Sequence, residues 1–286
     1  MSIVIADLGA SNARFAIIQR NRMSDIYQFA CDDFKNPLEM IQSFVKMYAP
    51  DAGYFLAGVP APVFSENIKW TNRPWKLNSK ELKRKLKLKE VVLLNDLEVQ
   101  GSGLKALTKK DLIFLQGTKT NNGPKILVNV GTGLGACYIV DGKVYSAEYG
   151  QTLISAGDIL EDVVSGPGFK RLYQTVAGPK HPISATQITD KCLSGNRLAQ
   201  KTYRLFYEDF SRTLMNLALI IKATGGVYFC GGVLDEKSLK QMHFANSFSN
   251  HPKMKGLLKS IPLVFIRKKD FAFLGLKELV KKFGWS

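Results

Sequence analysis

The run Val91-Val92-Leu93-Leu94-Asn95-Asp96 is apolar and strand-forming, and it stops at an Asn-Asp pair. A carboxylate held at a strand end can take the proton of an attacking hydroxyl, and the amide beside it can bind a neighbouring hydroxyl. Two Gly-containing turns flank the run: Asp7-Leu8-Gly9-Ala10-Ser11-Asn12-Ala13-Arg14 upstream and Gly131-Thr132-Gly133-Leu134-Gly135 downstream. Each lies between two β-rich stretches and reads as a hairpin whose tip exposes backbone N–H groups. A concave row of such groups binds phosphate. Two phosphate-binding hairpins with a carboxylate between them are the parts of an enzyme that hands a phosphoryl group to a hydroxyl.

Each residue also has a plainer reading. Asp7 can hold Mg²⁺ through water beside nucleotide phosphates, because Mg²⁺ favours one or two carboxylates plus phosphate oxygens; it can equally cap a turn. Gly9 lets the first hairpin turn tightly, and Ser11 or Asn12 can offer a further donor to a γ-phosphate. Gly131, Gly133 and Gly135 permit close backbone approach to a β-phosphate, while the Thr132 hydroxyl adds a donor; an ordinary glycine turn is the alternative. Taken alone, Asn95-Asp96 reads as an Asx turn capping a helix from Leu97, and only the flanking hairpins favour Asp96 as general base. His181, His243 and His251 lie outside every motif, so histidine base catalysis is not expected.

The elements that must position these residues fall into two similar series. Strands are expected at Ile3 to Leu8, Arg14 to Gln19 and near Tyr27 to Ala30, then a helix at Pro37 to Tyr48 with Leu38, Ile41, Phe44 and Val45 at helical spacing. A buried strand at Tyr54 to Val59, a basic helix, the strand Val91 to Leu94 and a helix from Leu97 to Leu107 complete the first series. The order then restarts. Lys125 to Val130, Leu134 to Val140 and Lys143 to Ala147 form a second meander, with Asp141-Gly142 as its second turn. Helices follow at Ile159 to Val164, at Phe169 to Val176, and at Arg197 to Ala223. The last is capped by Asn196, ended by Gly225-Gly226, and carries a core stripe of Leu198, Phe206, Phe210, Leu214, Leu217 and Ile221. A strand at Val227 to Cys230, another at Ile261 to Ile266 and a closing helix at Phe271 to Phe283 end the chain. Two α/β halves imply a cleft between them. The division expected is a small α/β domain over 1–106, completed by the C-terminal helix 271–286, and a large α/β domain over 107–270.

With 286 residues the chain can bury a sizeable core. No stretch of about 20 apolar residues suggests a membrane span, and the N-terminus enters a strand without a basic leader, so a soluble cytoplasmic protein is expected. The four cysteines, Cys31, Cys137, Cys192 and Cys230, form no CxxC pair and no Cys/His cluster. They read as packing thiols, not as a zinc site or a disulfide framework. The formal charge of +16 is concentrated in Lys80 to Lys89, Arg267-Lys268-Lys269 and Lys277 to Lys282. The first run alternates with Leu82, Leu86 and Leu88 and lacks interleaved aromatics, so it reads as a solvated helix face that steers anionic nucleotide by long-range attraction. No specific nucleic-acid site and no membrane contact are expected.

In order along the chain, these motifs resemble the bacterial glucokinases of the hexokinase/actin-like ATPase superfamily. The match comprises Asp7 to Arg14, Thr71-Asn72, Leu94-Asn95-Asp96, Gly131 to Gly135, Glu148-Tyr149-Gly150-Gln151, Ser165-Gly166-Pro167-Gly168, Cys230-Gly231-Gly232 and Phe273-Leu274-Gly275. The resemblance implies two ribonuclease-H-like (actin-like ATPase) α/β domains with an interdomain cleft, and ATP with Mg²⁺ as cofactors. It implies nucleotide contacts at Asp7, Gly9, Ala10, Ser11, Asn12, Arg14, Gly131, Thr132, Gly133, Gly135, Gly231 and Gly232, with Asp7 reaching Mg²⁺ through water. It implies sugar contacts at Thr71, Asn72, Asn95, Asp96, Glu148, Gln151 and Glu161, with Asp96 catalytic. The expected partners are a small sugar and ATP, and a homodimer is among the oligomeric states left open.

Two departures fall on the sugar side. The family's Glu-Gly-Gly-His reads Glu148-Tyr149-Gly150-Gln151 here, and the stretch from Gln151 to Glu161 is shorter than the family's. Nucleotide use is therefore better supported than the choice of sugar. The Cys-x-Cys-Gly zinc motif of the repressor-like sugar kinases is absent. The function implied is phosphorylation of a hexose at its primary hydroxyl, with glucose as first choice. The alternatives are a kinase for another hexose or an amino sugar, and a catalytically silent sugar sensor.

Overall fold

A computed structural model describes residues 1–154, 157–178 and 184–285. The chain forms two compact units, Met1–Leu107 with Asp270–Ser286, and Thr108–Lys269.

In the first unit β1 (Ser2–Leu8) and β2 (Asn12–Gln19) form an antiparallel hairpin, and β3 (Arg22–Met23) and β4 (Tyr27–Ala30) both pair with β2. β5 (Ala52–Val59), β6 (Asn67–Lys69), β7 (Lys76–Asn78) and β8 (Glu90–Asn95) follow. The sheet order is β3-β2-β1-β5-β8, with β1, β5 and β8 parallel, while β6 and β7 make a small separate hairpin. Both sheet faces are buried, and the period of two sorts the residues between them. Val4, Ala6, Leu8, Phe15 and Phe55 pack with α1 (Pro37–Tyr48) and α2 (Ser79–Leu86). Ile3, Ile5 and Leu56 pack instead with α3 (Asp96–Gly103) and the C-terminal helix Ala272–Lys282.

Helix starts in this unit are set by Asn caps. Asn36 Oδ1 accepts the Glu39 N–H and Asn78 Oδ1 accepts the Glu81 N–H, each satisfying an otherwise orphaned first-turn donor. Within α2 only Leu82 is buried, and Lys80 and Lys85 pair with Glu66 and Glu81, so the basic run is mainly a solvated face. The helix expected over Leu97 to Leu107 is regular only to Gly103 and continues as a 3₁₀ turn, Leu104–Ala106. Gly103 lies against the C-terminal helix, where a Cβ would come within 2.8 Å of the Gly275 nitrogen.

The second unit contains β9 (Leu112–Gln116), β10 (Lys125–Val130), β11 (Leu134–Val140), β12 (Lys143–Ala147), β13 (Gly226–Cys230) and β14 (Leu263–Ile266). Their order is β12-β11-β10-β13-β14-β9. β10, β13 and β14 are parallel, and β11, β12 and β9 are each antiparallel to their neighbour. This repeats the first unit's plan, an antiparallel hairpin on one side of a central strand and two parallel strands on the other, with β9 added at the edge. Asp141 and Gly142, both at positive φ (49° and 73°), close the β11–β12 hairpin, the conformation a two-residue primed turn demands.

The helices of this unit are α4 (Leu160–Val163), α5 (Gly166–Ala177), α6 (Ala185–Leu193), α7 (Arg197–Ile220), α8 (Glu236–Gln241), α9 (Phe244–Phe248) and α10 (Lys255–Ser260). Asn196 caps α7 by accepting the N–H groups of Leu198 and Ala199. Phe206, Phe210, Leu214 and Leu217 are in the core, whereas Leu198 is 44% exposed. The buried face of the first turns is taken by Ala199, Thr202 and Tyr203 instead. The helix also ends before Ala223. Lys222 turns left-handed (φ 52°) and the Ala223 N–H returns to Ala218 O at 2.9 Å, so the stop precedes Gly225-Gly226.

Candidate functional site

In each unit the motif residues stand at the carboxyl ends of adjacent parallel strands. That edge is where open α/β sheets present loops to a ligand.

In the first unit Asp7, Gly58 and Leu94 are neighbours across β1, β5 and β8, and Val59 pairs with Asn95. The Gly9–Asn12 turn closes with Gly9 N–H on Asn12 O at 3.0 Å. A Cβ on Gly9 would come within 2.7 Å of that same oxygen, which is why the position needs glycine. Arg14, opposite Asp7 in the β1–β2 register, pairs with both Asp7 and Asp270 and lies 5.9 Å from the Phe273 ring centroid. Its guanidinium holds Asp7 and Asp270 together, so Arg14 acts on the turn through carboxylates. Ser11 and Asn12 are exposed at the tip and Ala10 is half-buried.

Asn95 and Asp96 both meet the start of α3. Asn95 Oδ1 and Asp96 Oδ1 each accept the Leu97 N–H at 2.9 Å, and Asn95 Nδ2 donates to Ala61 O at 3.2 Å. The Asx cap is therefore present, and Asn95, 7% exposed, serves it from inside the protein. Asp96 is half-buried at the N-terminus of α3, where a negative charge is favoured by the unpaired N–H groups. Gly58 lets that helix start sit close, since a Cβ would be 3.2 Å from Asp96 Cα. Thr71 and Asn72, both exposed, lie in the loop between β6 and β7, and Thr71 N–H donates to Pro60 O at 3.3 Å.

Sequence reasoning passed over Arg73 in that loop. Its guanidinium donates to Ala10 O (3.1 Å), Cys31 O (3.1 Å) and Asp32 Oδ1 (2.8 Å) and lies 4.2 Å from the Trp75 ring centroid. The only trace in the sequence is its place directly after Thr71-Asn72.

In the second unit the bend Gly131–Gly133 joins β10 to β11, with Gly131 N–H on Gly133 O at 2.8 Å. Gly135 lies beyond it, inside β11 opposite Asn129. Four distant motifs meet this bend. The Gly166 N–H donates to Gly131 O at 2.8 Å, just after Ser165, whose Oγ caps α5 by accepting the Gly168 N–H. Glu161 Oε2 accepts the Leu134 N–H at 2.8 Å. A Cβ on Gly150 would come within 2.2 Å of Leu134 O. Gly231, at φ 144°, passes so close to β10 that a Cβ would sit 2.0 Å from Val130 O; Gly232 next to it faces open space.

Glu148 and Glu161 lie near enough to sense each other. Partial desolvation, and then the Glu161 charge, raise the Glu148 carboxyl above its usual range, although the side chain remains exposed. Gln151 is exposed at the end of the 3₁₀ turn Tyr149–Gln151 and its N–H returns to Glu148 O at 3.0 Å. Thr132 is exposed at the bend. Within the short Gln151 to Glu161 stretch, Ser155 and Ala156 lie outside the described residues, as does His181.

The four cysteines are buried and unbridged. Burial pushes the Cys230 thiol up to about 12 and raises those of Cys31 and Cys192, which suits inert packing groups. Among the described residues no group of three or more His, Cys, Asp or Glu side chains could hold a metal ion, and no helix is long and apolar enough to cross a membrane.

The chain is similar to known proteins in sequence and in fold. The chain is 27% identical over 305 residues to a glucokinase of Campylobacter jejuni subsp. doylei, covering 96% of this chain and 92% of that one. It is 26% identical to a glucokinase of Hahella chejuensis, covering 97% and 96%. Among solved structures, a glucokinase from an Antarctic psychrotroph superposes with a TM-score of 0.80 at 21% identity over 98% of this chain and 99% of that one. A Balamuthia mandrillaris glucokinase in complex with glucose superposes at 0.81 with 18% identity, over 98% and 93%. At those identities the structures speak for the fold alone. The model of the glucokinase family matches residues 4–158 and 156–283, and the chain therefore belongs to that family.

Proposed function

We propose that the protein transfers the γ-phosphoryl group of ATP to the primary hydroxyl of glucose, giving ADP and glucose 6-phosphate. The observation that carries this reading is the gathering, in a chain of the glucokinase family, of motifs up to about a hundred residues apart around one glycine bend in the second unit. A second glycine turn heads the equivalent strand of the first unit.

The roles follow from the chemistry at each atom. Asp96 takes the proton of the primary hydroxyl as its oxygen attacks the γ-phosphorus; the bond to the ADP oxygen breaks and ADP leaves. Its Oδ1 bond to Leu97 N–H holds the carboxylate at the strand end. Glu148 and Glu161 accept hydrogen bonds from sugar hydroxyls, a task suited to paired carboxylates, and Gln151, Thr71 and Asn72 supply amide and hydroxyl contacts. The Gly9–Asn12 and Gly131–Gly133 turns receive the phosphates, and the Gly231-Gly232 backbone runs beside the nucleoside.

Mg²⁺ suits the residues present. Asp7 is one half-buried carboxylate with Oδ2 tied to Arg14, and this ion keeps most of its waters and takes phosphate oxygens as its other ligands. When bound, it neutralises charge developing on the β- and γ-phosphates. The two units serve as the two domains, close to the division 1–106 with 271–286 and 107–270, and the cytoplasm, where ATP is plentiful, is the site of action.

The test is ADP release from ATP and Mg²⁺ against a panel of hexoses and amino sugars. Glucose should give the highest kcat/KM; nucleotide binding without turnover on any sugar would overturn the reading. A kinase for another hexose or an amino sugar is the second reading. It is favoured by one observation, Gln151 where the family pattern has a histidine.

A further inference from the structure

We propose that Arg73 is a positioning residue that sets the Gly9–Asn12 turn for phosphate. The inference rests on the reading of that turn as a phosphate site. The backbone of the turn is held from one side. Ala10 O accepts from Arg73 Nη1 at 3.1 Å, and Ser11 O accepts from Cys31 N–H at 2.9 Å. In a trans peptide the N–H points opposite to the C=O. Anchoring the carbonyls of Ala10 and Ser11 therefore turns the N–H groups of Ser11 and Asn12 to the other side, as a row of donors in the arrangement that receives an anion.

Of the two anchors, the Cys31 bond is an ordinary extension of the β2–β4 pairing, since Asn12 lies opposite Ala30. Arg73 comes from 63 positions away and has no sheet to hold it. Its position is fixed by other partners: Cys31 O at 3.1 Å, Asp32 Oδ1 at 2.8 Å and the Trp75 ring 4.2 Å from the guanidinium carbon. The side chain is 19% exposed. A planar fork that fills three acceptors while stacking on an indole is a task for Arg and not for Lys. Because Arg73 directly follows Thr71-Asn72, the same side chain ties the turn to the loop between β6 and β7.

Three measurements on wild type, Arg73→Ala and Arg73→Lys test this. Amide exchange at Gly9 and Cys31, whose N–H groups are bonded to Asn12 O and Ser11 O of the turn, needs no substrate and should speed up at least tenfold in Arg73→Ala, with global stability largely kept. KM for ATP should rise at least about tenfold, equal to about 1.4 kcal/mol, the low end for a hydrogen bond from a charged donor. Arg73→Lys should fall between the other two, and added guanidinium ion at low millimolar concentration should restore part of the ATP affinity of Arg73→Ala. Unchanged exchange at Gly9 and Cys31 and unchanged KM in a folded Arg73→Ala, or in Arg73→Lys should the alanine variant not fold, would overturn the inference and leave glucose phosphorylation standing. A wild type that phosphorylates no sugar would instead sink the functional reading, while the exchange result still reports on the clamp.

Discussion

The two glycine turns head equivalent strands, β1 and β10, yet they are held in different ways. The Gly9–Asn12 turn is gripped largely by side chains, Arg73 on Ala10 O with Arg14 bridging Asp7 and Asp270 beside it, and by one backbone bond, Cys31 N–H on Ser11 O. The Gly131–Gly133 bend is gripped mainly by backbone. The Gly166 N–H meets Gly131 O, Gly231 presses against Val130 O, and Gly150 against Leu134 O; Glu161 adds the one carboxylate contact. A side-chain grip can be loosened by degrees, whereas a backbone grip fails as soon as a Cβ is added, because a buried strand cannot retreat.

Substitutions can break that contrast. The largest effect is expected for Gly231→Ala, which combines a positive φ with a Cβ 2.0 Å from Val130 O. It should cost about 4 kcal/mol or more, the scale reserved for strain and overpacking in a core, and urea unfolding would show it as a collapsed midpoint or lost soluble protein. Gly9→Ala, with 2.7 Å to Asn12 O and no positive φ, should cost about 1–3 kcal/mol. Gly232→Ala meets nothing and should stay within about 0.5 kcal/mol of wild type. Equal losses at Gly9 and Gly231 would erase the distinction.

Asp96→Asn should lower turnover at least about 10²-fold, the lower range for general acid–base catalysis, while the fold and ATP binding remain. Near-normal turnover would leave Asp96 as only the second capping group of α3.

Glu148 gives a smaller effect with a definite sign. Its folded-state pKa is raised, first by desolvation and then by Glu161. The native state therefore binds its proton more tightly than the unfolded chain does. Stability falls as pH rises from the ordinary carboxylate range through the raised value, and the cost persists above it. Glu148→Gln should accordingly melt higher than wild type at neutral pH, by no more than a few °C for an exposed side chain, and lose that advantage below about pH 4. Thermal melts across pH would check this, and a variant less stable at neutral pH would contradict it. Sugar use should fall in the same variant, so that function and stability move in opposite directions.

Gln151→His is the mildest change. The amide and the imidazole reach similar hydroxyls, and one better-aligned hydrogen bond is worth about 0.5–1.5 kcal/mol, roughly 2- to 13-fold. KM for glucose should drop by that factor and KM for ATP should not move; a change in the ATP value would show that Gln151 serves more than the sugar.

The strands that carry both turns were legible in the residues because each rests on local chemistry. β10, β11 and β12 begin and end where their β-rich runs do, and Asp141-Gly142 closes their second hairpin. Asn196 caps its helix for the same reason, a side-chain oxygen two or three residues from the N–H groups it satisfies. Three strands were not legible. β6 and β7 span three residues each, too short for a periodicity to stand out, and β9 is an edge strand with no alternation, half-buried throughout and held by its β14 neighbour. The end of α7 was missed because Lys222, a residue with no intrinsic liking for positive φ, takes the left-handed position.

The sequence by itself determined the order of strands and turns, the glycines at the tight approaches, the placement of Asp96 at a strand end and the membership signalled by the motifs, since all of these are written in neighbouring residues. Only the tertiary structure decided how those groups are held. Asn95 Nδ2 reaches Ala61 O, 34 positions back and beyond the local cap that the Asn-Asp pair already offered. Arg14 faces two carboxylates, Glu161 takes an N–H of the second turn, and Arg73 reaches back to the first. These contacts join residues 7 to 256 positions apart. Their geometry is set by strand register and by the packing of layers, so no local pattern of residue types records it.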